Sequence, residues 1–212
     1  MTHRTGSIST ARSRSRLSTH ARALAASAVL VSTVLACGPV WAQSATPDLP
    51  FEVIVPDYTE DREAALAVAT ARAEWLQAFE AQDLERMMSF YVDDIYSYDL
   101  MAAPTENGLA MAFDGGAIWR QNWIAFFELF EDDLKVTIDD LTVYQKGDIA
   151  TVRGLTRLEG TMAGGRFVDM WVRETNVLRL VGGEWKVVHD HVSVPFDFAT
   201  GQALTELKPP TE

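Results

Sequence analysis

The sequence predicts one α+β domain, with helices packed on one face of an antiparallel meander. Two observations carry that reading. Segments with a helical apolar period fill the first half of the domain, and runs rich in Val, Thr, Tyr and Trp, broken by glycine turns, fill the second. Long strands covered on one side tend to curl, and a curled sheet under helices leaves a conical hollow.

Residues 60–82 hold neither Gly nor Pro and place Val68, Ala71, Trp75 and Phe79 on one stripe, which predicts an amphipathic helix. Asp83 is placed to cap a short second helix with Leu84, Met87 and Met88 inward. Ile95 to Leu100 reads as a strand, with Tyr96, Tyr98 and Leu100 on one side and Ile95, Ser97 and Asp99 on the other. Asp114-Gly115-Gly116 opens a third helix whose apolar set is Ile118, Trp119, Trp123, Phe126, Phe127 and Phe130. Residues 136–145, 149–159, 166–180 and 184–194 follow as strands, joined by turns at Gly147, Gly164-Gly165 and Gly182-Gly183.

The ends of the chain have a different character. Five arginines and no acid precede an apolar stretch from Ala23 to Val40, and Val40-Trp41-Ala42 supplies small residues before a cut. Residues 1–42 therefore read as a signal peptide and the protein as exported, periplasmic or secreted. Val34-Leu35-Ala36-Cys37 also resembles a lipoprotein signal, which would anchor the chain through Cys37, although Leu35 is large for that pattern. An uncleaved anchor is disfavoured by Ser27, Ser32, Gly38 and Pro39. Residues 43–57 read as an extended leader, 58–200 as the domain and 201–212 as a loose tail.

Removing residues 1–42 leaves 13 basic and 30 acidic side chains, a net charge of −17. Such a surface repels nucleic acid and anionic lipid, so neither is an expected partner of the domain. With Cys37 removed there is no disulfide and no thiol nucleophile. The chain carries no glycine-rich phosphate loop and no Gly-x-Ser-x-Gly elbow, and no cofactor is expected.

Strand alternation in the last segment places Trp185, Val187, His189, His191 and Ser193 on one face and Lys186, Val188, Asp190, Val192 and Val194 on the other. His189 and His191 are the histidines left after cleavage, and an imidazole pair can shuttle protons near neutral pH. A structural role for one and an interface role for the other is the alternative. As half of a metal site the pair would need a third ligand, with Asp99 the nearest, and no spacing supplies one cleanly, so no metal is assigned. Trp171, Arg173 and Thr175 share a face of the preceding strand, where a cation needs an anionic partner, from Asp99 or from a ligand. Asp99, at the end of an aromatic strand, is a candidate general base, with Tyr98 a hydrogen-bond donor. Trp119 and Trp123 read as core, with a part in walling the pocket.

Three segments carry a family resemblance. They are Tyr96-Ser97-Tyr98-Asp99-Leu100 with Phe113-Asp114-Gly115; Trp119-Arg120-Gln121-Asn122-Trp123; and Met170 to Thr175 leading into Trp185 to Phe196. Over roughly residues 60–200 the chain resembles the SnoaL-like, ketosteroid-isomerase-related group of the nuclear transport factor 2-like superfamily. The resemblance implies a cone-shaped barrel of a curved mixed, mostly antiparallel sheet wrapped around three N-terminal helices, a pocket between sheet and helices, and a homodimer through the open sheet face. Members include isomerases, cyclases, hydrolases and dehydratases as well as non-catalytic partners. Ketosteroid isomerase uses an aspartate base with a tyrosine and a protonated aspartic acid, and Asp169 is the candidate here for that second acid. The expected ligand is a small apolar molecule with a polar or anionic group. One reading is cofactor-independent acid–base chemistry of isomerase, cyclase or hydratase type on a carbonyl compound, with Asp99, His189 and His191 catalytic. In that reading Tyr98, Trp119, Trp123, Trp171, Arg173, Thr175 and Ser193 line the pocket. The other is a non-catalytic binding or dimeric interaction module of the cell envelope.

Overall fold

A computed structural model describes residues 47–131 and 133–209. The segment read as a signal peptide, and Cys37 within it, lie outside the described residues.

The leader contributes a short strand, β1 (Val53–Ile54). Helix α1 (Arg62–Glu80) begins where the Asp61 carboxylate accepts the Glu63 and Ala64 amides, satisfying two of the free N–H groups of the first turn. It buries Val68, Arg72, Trp75, Leu76 and Phe79. Asp83 caps α2 (Leu84–Met88) by accepting from the Arg86 amide. Strand β2 (Tyr91–Tyr98) buries Ile95 and Ser97 and exposes Tyr96 and Tyr98, the alternation expected from the sequence. A small hairpin, β3 (Ala103–Thr105) and β4 (Gly108–Ala110), leads to β5 (Phe113–Asp114), which pairs with β2.

Helix α3 (Gly116–Phe127) starts against β2. Gly115 donates to the Ile95 carbonyl at a φ of 96°, a conformation open to glycine. A Cβ on Gly116 would stand 3.2 Å from the Asp93 carbonyl oxygen, so small residues let the helix meet the strand. Four long strands follow: β6 (Lys135–Lys146), β7 (Ile149–Thr161), β8 (Phe167–Val181) and β9 (Glu184–Ser193). A last hairpin, β10 (Phe196–Asp197) with β11 (Gln202–Ala203), folds the segment read as a loose tail back on the domain.

The main sheet has seven strands in the order β1-β6-β7-β8-β9-β2-β5, with parallel pairs β1·β6 and β2·β9 and antiparallel pairs elsewhere. It is mixed, mostly antiparallel and curved over the helices. It is not a closed barrel, because β1 and β5 are free edges. The core lies between the concave face and α1 and α3, where Trp75, Phe79, Trp119 and Trp123 meet with ring centroids 5.2–5.9 Å apart. Edge-to-face pairs of this kind add to the burial itself.

One irregularity decides the chemistry of the concave face. Leu178 pairs with Val187 and Val177 with His189, so Val188 has no partner on β8. This bulge shifts the alternation by one residue. Trp185 and Val187 face the helices before it, and Asp190 and Val192 do so after it. The expectation that His189, His191 and Ser193 share a face with Trp185 and Val187 is corrected accordingly.

Candidate active site

Between the sheet and the helices lies a cavity of about 90 Å³. Its walls include Trp75, Phe79, Trp123 and Val172, and three carboxyl groups reach it: Asp99, Glu174 and Asp190. Arg72, from α1, is the cation among its lining residues.

Each charge has a distinct setting. Arg72 Nη2 lies 2.5 Å from Glu174 Oε2, and the same oxygen accepts from Thr156 Oγ1 at 2.8 Å. The guanidinium also stacks 4.1 Å from the Trp75 ring centroid. Glu174 is thus matched by a cation and a hydroxyl. Asp190 is not. It is 4% exposed, and Asn176 Nδ2 donates to its Oδ1 at 2.6 Å. Burial, then the charges of Glu174 and Asp99, pushes its carboxyl well above the usual range, against smaller opposing pulls from Arg72 and Asn176. Burial there favours the neutral carboxyl, whose O–H can donate.

Asp99 sits at the edge of the cavity. Its Oδ1 accepts from the Met101 amide at 2.9 Å, and the Asn122 side chain on α3 favours the charged carboxylate. Burial raises its affinity for a proton, while the Met101, Leu100 and Asn122 hydrogen bonds pull the other way. Asp99 and Asp190 therefore face one apolar space with different degrees of protection from solvent. Deeper in, Trp75 Nε1 donates to Tyr91 Oη at 2.9 Å, and burial keeps that phenol protonated.

The family model for the SnoaL-like domain matches residues 68–197, which contain every one of these side chains. The chain belongs to the SnoaL-like family. Its fold is similar to an NTF2-like protein of unknown function from Pseudomonas putida, with 28% identity, a TM-score of 0.62, and coverage of 70% of this chain and 99% of that one. It is also similar to a ketosteroid isomerase-like protein from Erwinia carotovora, at 23% identity and a TM-score of 0.51 over 63% of this chain and 97% of that one. A candidate dehydratase of the NTF2-like family from Streptomyces avermitilis matches at 19% identity and a TM-score of 0.54, over 64% and 98% of the two chains. No curated protein matches in sequence.

In this SnoaL-like domain the residues singled out from the sequence divide between two faces. Asp99 and Trp123 line the cavity, and Trp119 is fully buried beside Trp123. His189, His191, Tyr98, Arg173, Thr175 and Ser193 lie on the convex face. There His189 Nδ1 donates to the Tyr96 carbonyl at 2.7 Å, and Tyr98 stands edge-on to both imidazoles. Arg173 donates to the Val194 carbonyl, and Thr175 pairs with His191. Trp171 walls a neighbouring recess. Asp169 is held by Arg157 through two bonds of 2.8 and 2.9 Å, which lower its pKa, so it is not a protonated acid. Among the described residues no group of three or more His, Cys, Asp or Glu could hold a metal ion.

Sequence reasoning missed Arg72, Asn122, Glu174 and Asp190. Arg72 carried a signal: it follows Val68 by four residues and precedes Phe79 by seven, so it interrupts the apolar stripe of α1.

Proposed function

We propose that this SnoaL-like protein is a cofactor-independent enzyme of isomerase or dehydratase type that acts on a small apolar carbonyl compound. The observation that carries this reading is the placing of Asp99 and Asp190, both raised by burial, around one apolar cavity. Asp99, as carboxylate, takes a proton from the carbon beside the carbonyl. The electron pair moves onto the carbonyl oxygen, and the Asp190 O–H donates to the oxyanion as it forms. In a β,γ-unsaturated substrate Asp99 then returns the proton to the γ-carbon of the dienolate as the double bond moves into conjugation. In a β-hydroxy substrate the enolate expels the hydroxyl, which takes the proton from Asp99 and leaves as water. Glu174, tied to Arg72 and Thr156, adds negative charge that keeps Asp190 protonated.

The family kinship supports the reaction class, since isomerase-like and dehydratase-like proteins share the fold. Two further features belong to this proposal. The basic and then apolar N-terminal segment directs export. The convex face, with Tyr96, Tyr98 and the two histidines, seats a second copy of the chain.

The test is exchange of α-hydrogens for deuterium in a set of small ketones, followed by NMR. Exchange that is lost in Asp99→Asn and in Asp190→Leu supports the assignment. Ketone binding without exchange in the unaltered protein overturns it in favour of a non-catalytic binding module.

A further inference from the structure

Beside the cavity lies a wider recess of about 540 Å³. Asp99, Leu100, Phe126 and Leu158 line both spaces, so the carboxylate proposed as base stands at their junction. The two volumes divide the labour between them. Sites for drug-sized ligands span roughly 300–1,000 Å³, so the inner cavity alone holds little more than a reacting group, whereas the recess holds a molecular body.

One wall of the recess is made by the end of the chain. The β10–β11 hairpin turns the backbone, Leu204 donates to the Pro195 carbonyl at 2.8 Å, and Thr205 to Lys208 then run along the opening. Lys208 Nζ reaches to 3.8 Å from Asp169 Oδ2, a second tie. Phe126, Leu129, Phe130, Met162 and Phe167 line the same recess. Leu207 is 50% exposed, Phe167 61% and Leu129 40%, a set of large apolar side chains around one concavity.

We propose that residues 204–208 form the outer wall of an elongated substrate site. The substrate is a molecule with a carbonyl at one end, which enters the inner cavity, and an extended apolar body, which lies in the recess beneath Leu207. The charged side chains at the recess do not point to a charged body. Asp169 is neutralised by Arg157, Glu206 stands in the same segment as Lys208, and the Arg166 guanidinium is turned onto the Met162 sulfur. The inference rests on the reading of Asp99 as base for the orientation of the ligand, and on the two cavities alone for its length.

The experiment measures calorimetric dissociation constants of straight-chain methyl ketones of four, eight and eleven carbons. They are compared for the full chain, the chain ending at Ala203, and Leu207→Asp, a change at a half-exposed position that spares the core. In the full chain, affinity should rise roughly two- to fourfold per added methylene. Without residues 204–212 the rise should stop beyond the shortest ketone, whose own affinity is unchanged, and Leu207→Asp should weaken the longest ketone most. Equal length dependence in the full and shortened chains overturns the proposal, as does failure of every ketone to bind. Asp99→Asn separates this result from the catalytic reading. Length dependence that persists while deuterium exchange is absent from every form leaves the elongated site standing and removes Asp99 as base. Exchange that requires Asp99 but ignores chain length does the reverse.

Discussion

Asn176 and Asp190 are direct partners in the β8–β9 ladder, and Asn176 Nδ2 donates to Asp190 Oδ1 at 2.6 Å on the buried face of the sheet. Replacing Asn176 with Leu leaves that carboxyl oxygen without a donor. We expect a loss of about 1–3 kcal/mol in urea unfolding at neutral pH. Activity should also fall, because the acid proposed as oxyanion donor loses its fixed orientation.

The raised pKa of Asp190 has a signed effect on stability. The folded state holds this proton more tightly than the unfolded state, so its stabilising contribution is complete below the unfolded carboxylate value near pH 4. It is lost as pH climbs from there toward the folded pKa. Asp190→Asn should flatten the fall, by at most about 1.4 kcal/mol per pH unit. Urea midpoints of the two proteins between pH 4 and 9 measure the difference, and parallel curves would contradict it.

Asn122 tunes the proposed base. Its amide favours the Asp99 carboxylate, so Asn122→Leu should raise the Asp99 pKa further. The acidic limb of the kcat/KM profile should then move to higher pH, with the plateau reached later. A profile that only drops in height would point to lost packing instead.

Arg72 and Glu174 form an ion pair 9% and 12% exposed. Arg72→Met strands the carboxylate and should cost about 3–5 kcal/mol. Adding Glu174→Leu should restore most of that loss, a coupling that a double-mutant cycle in urea reads directly.

His189 and His191 stand on the convex face, away from the carboxyl groups. Replacing both with Ala should leave deuterium exchange within about twofold, in the range of substitutions remote from the reacting atoms. Sedimentation of the same variant reports on the self-association proposed for that face.

Helix and strand positions were legible because burial imposes periods that single residues reveal: Val68, Trp75 and Phe79 on α1, Ile95 and Ser97 on β2. The side-chain facing of β9 was not. Trp185 to Val194 alternates without a glycine or proline to mark the bulge, and an unpaired Val188 exists only relative to the register of β8. The same limit hid the Asp169–Arg157 pair, which joins two strands whose alignment no local pattern encodes. Asp99 was legible because it follows two exposed tyrosines at the end of its own strand, where parity alone turns it inward.

The extra residue at Val188 has a consequence for how such sites diversify. With it, the closing strand presents carboxylic acid to the interior and imidazole to the outside. Were Val188 drawn into regular pleating instead, the two sets would exchange, turning His189 and His191 toward the ligand and Asp190 toward water. Deleting it would keep the present facing, because Val187 and His189 would then be consecutive. A one-residue shift of register therefore separates two kinds of proton chemistry on the same scaffold, without a single change of amino-acid type.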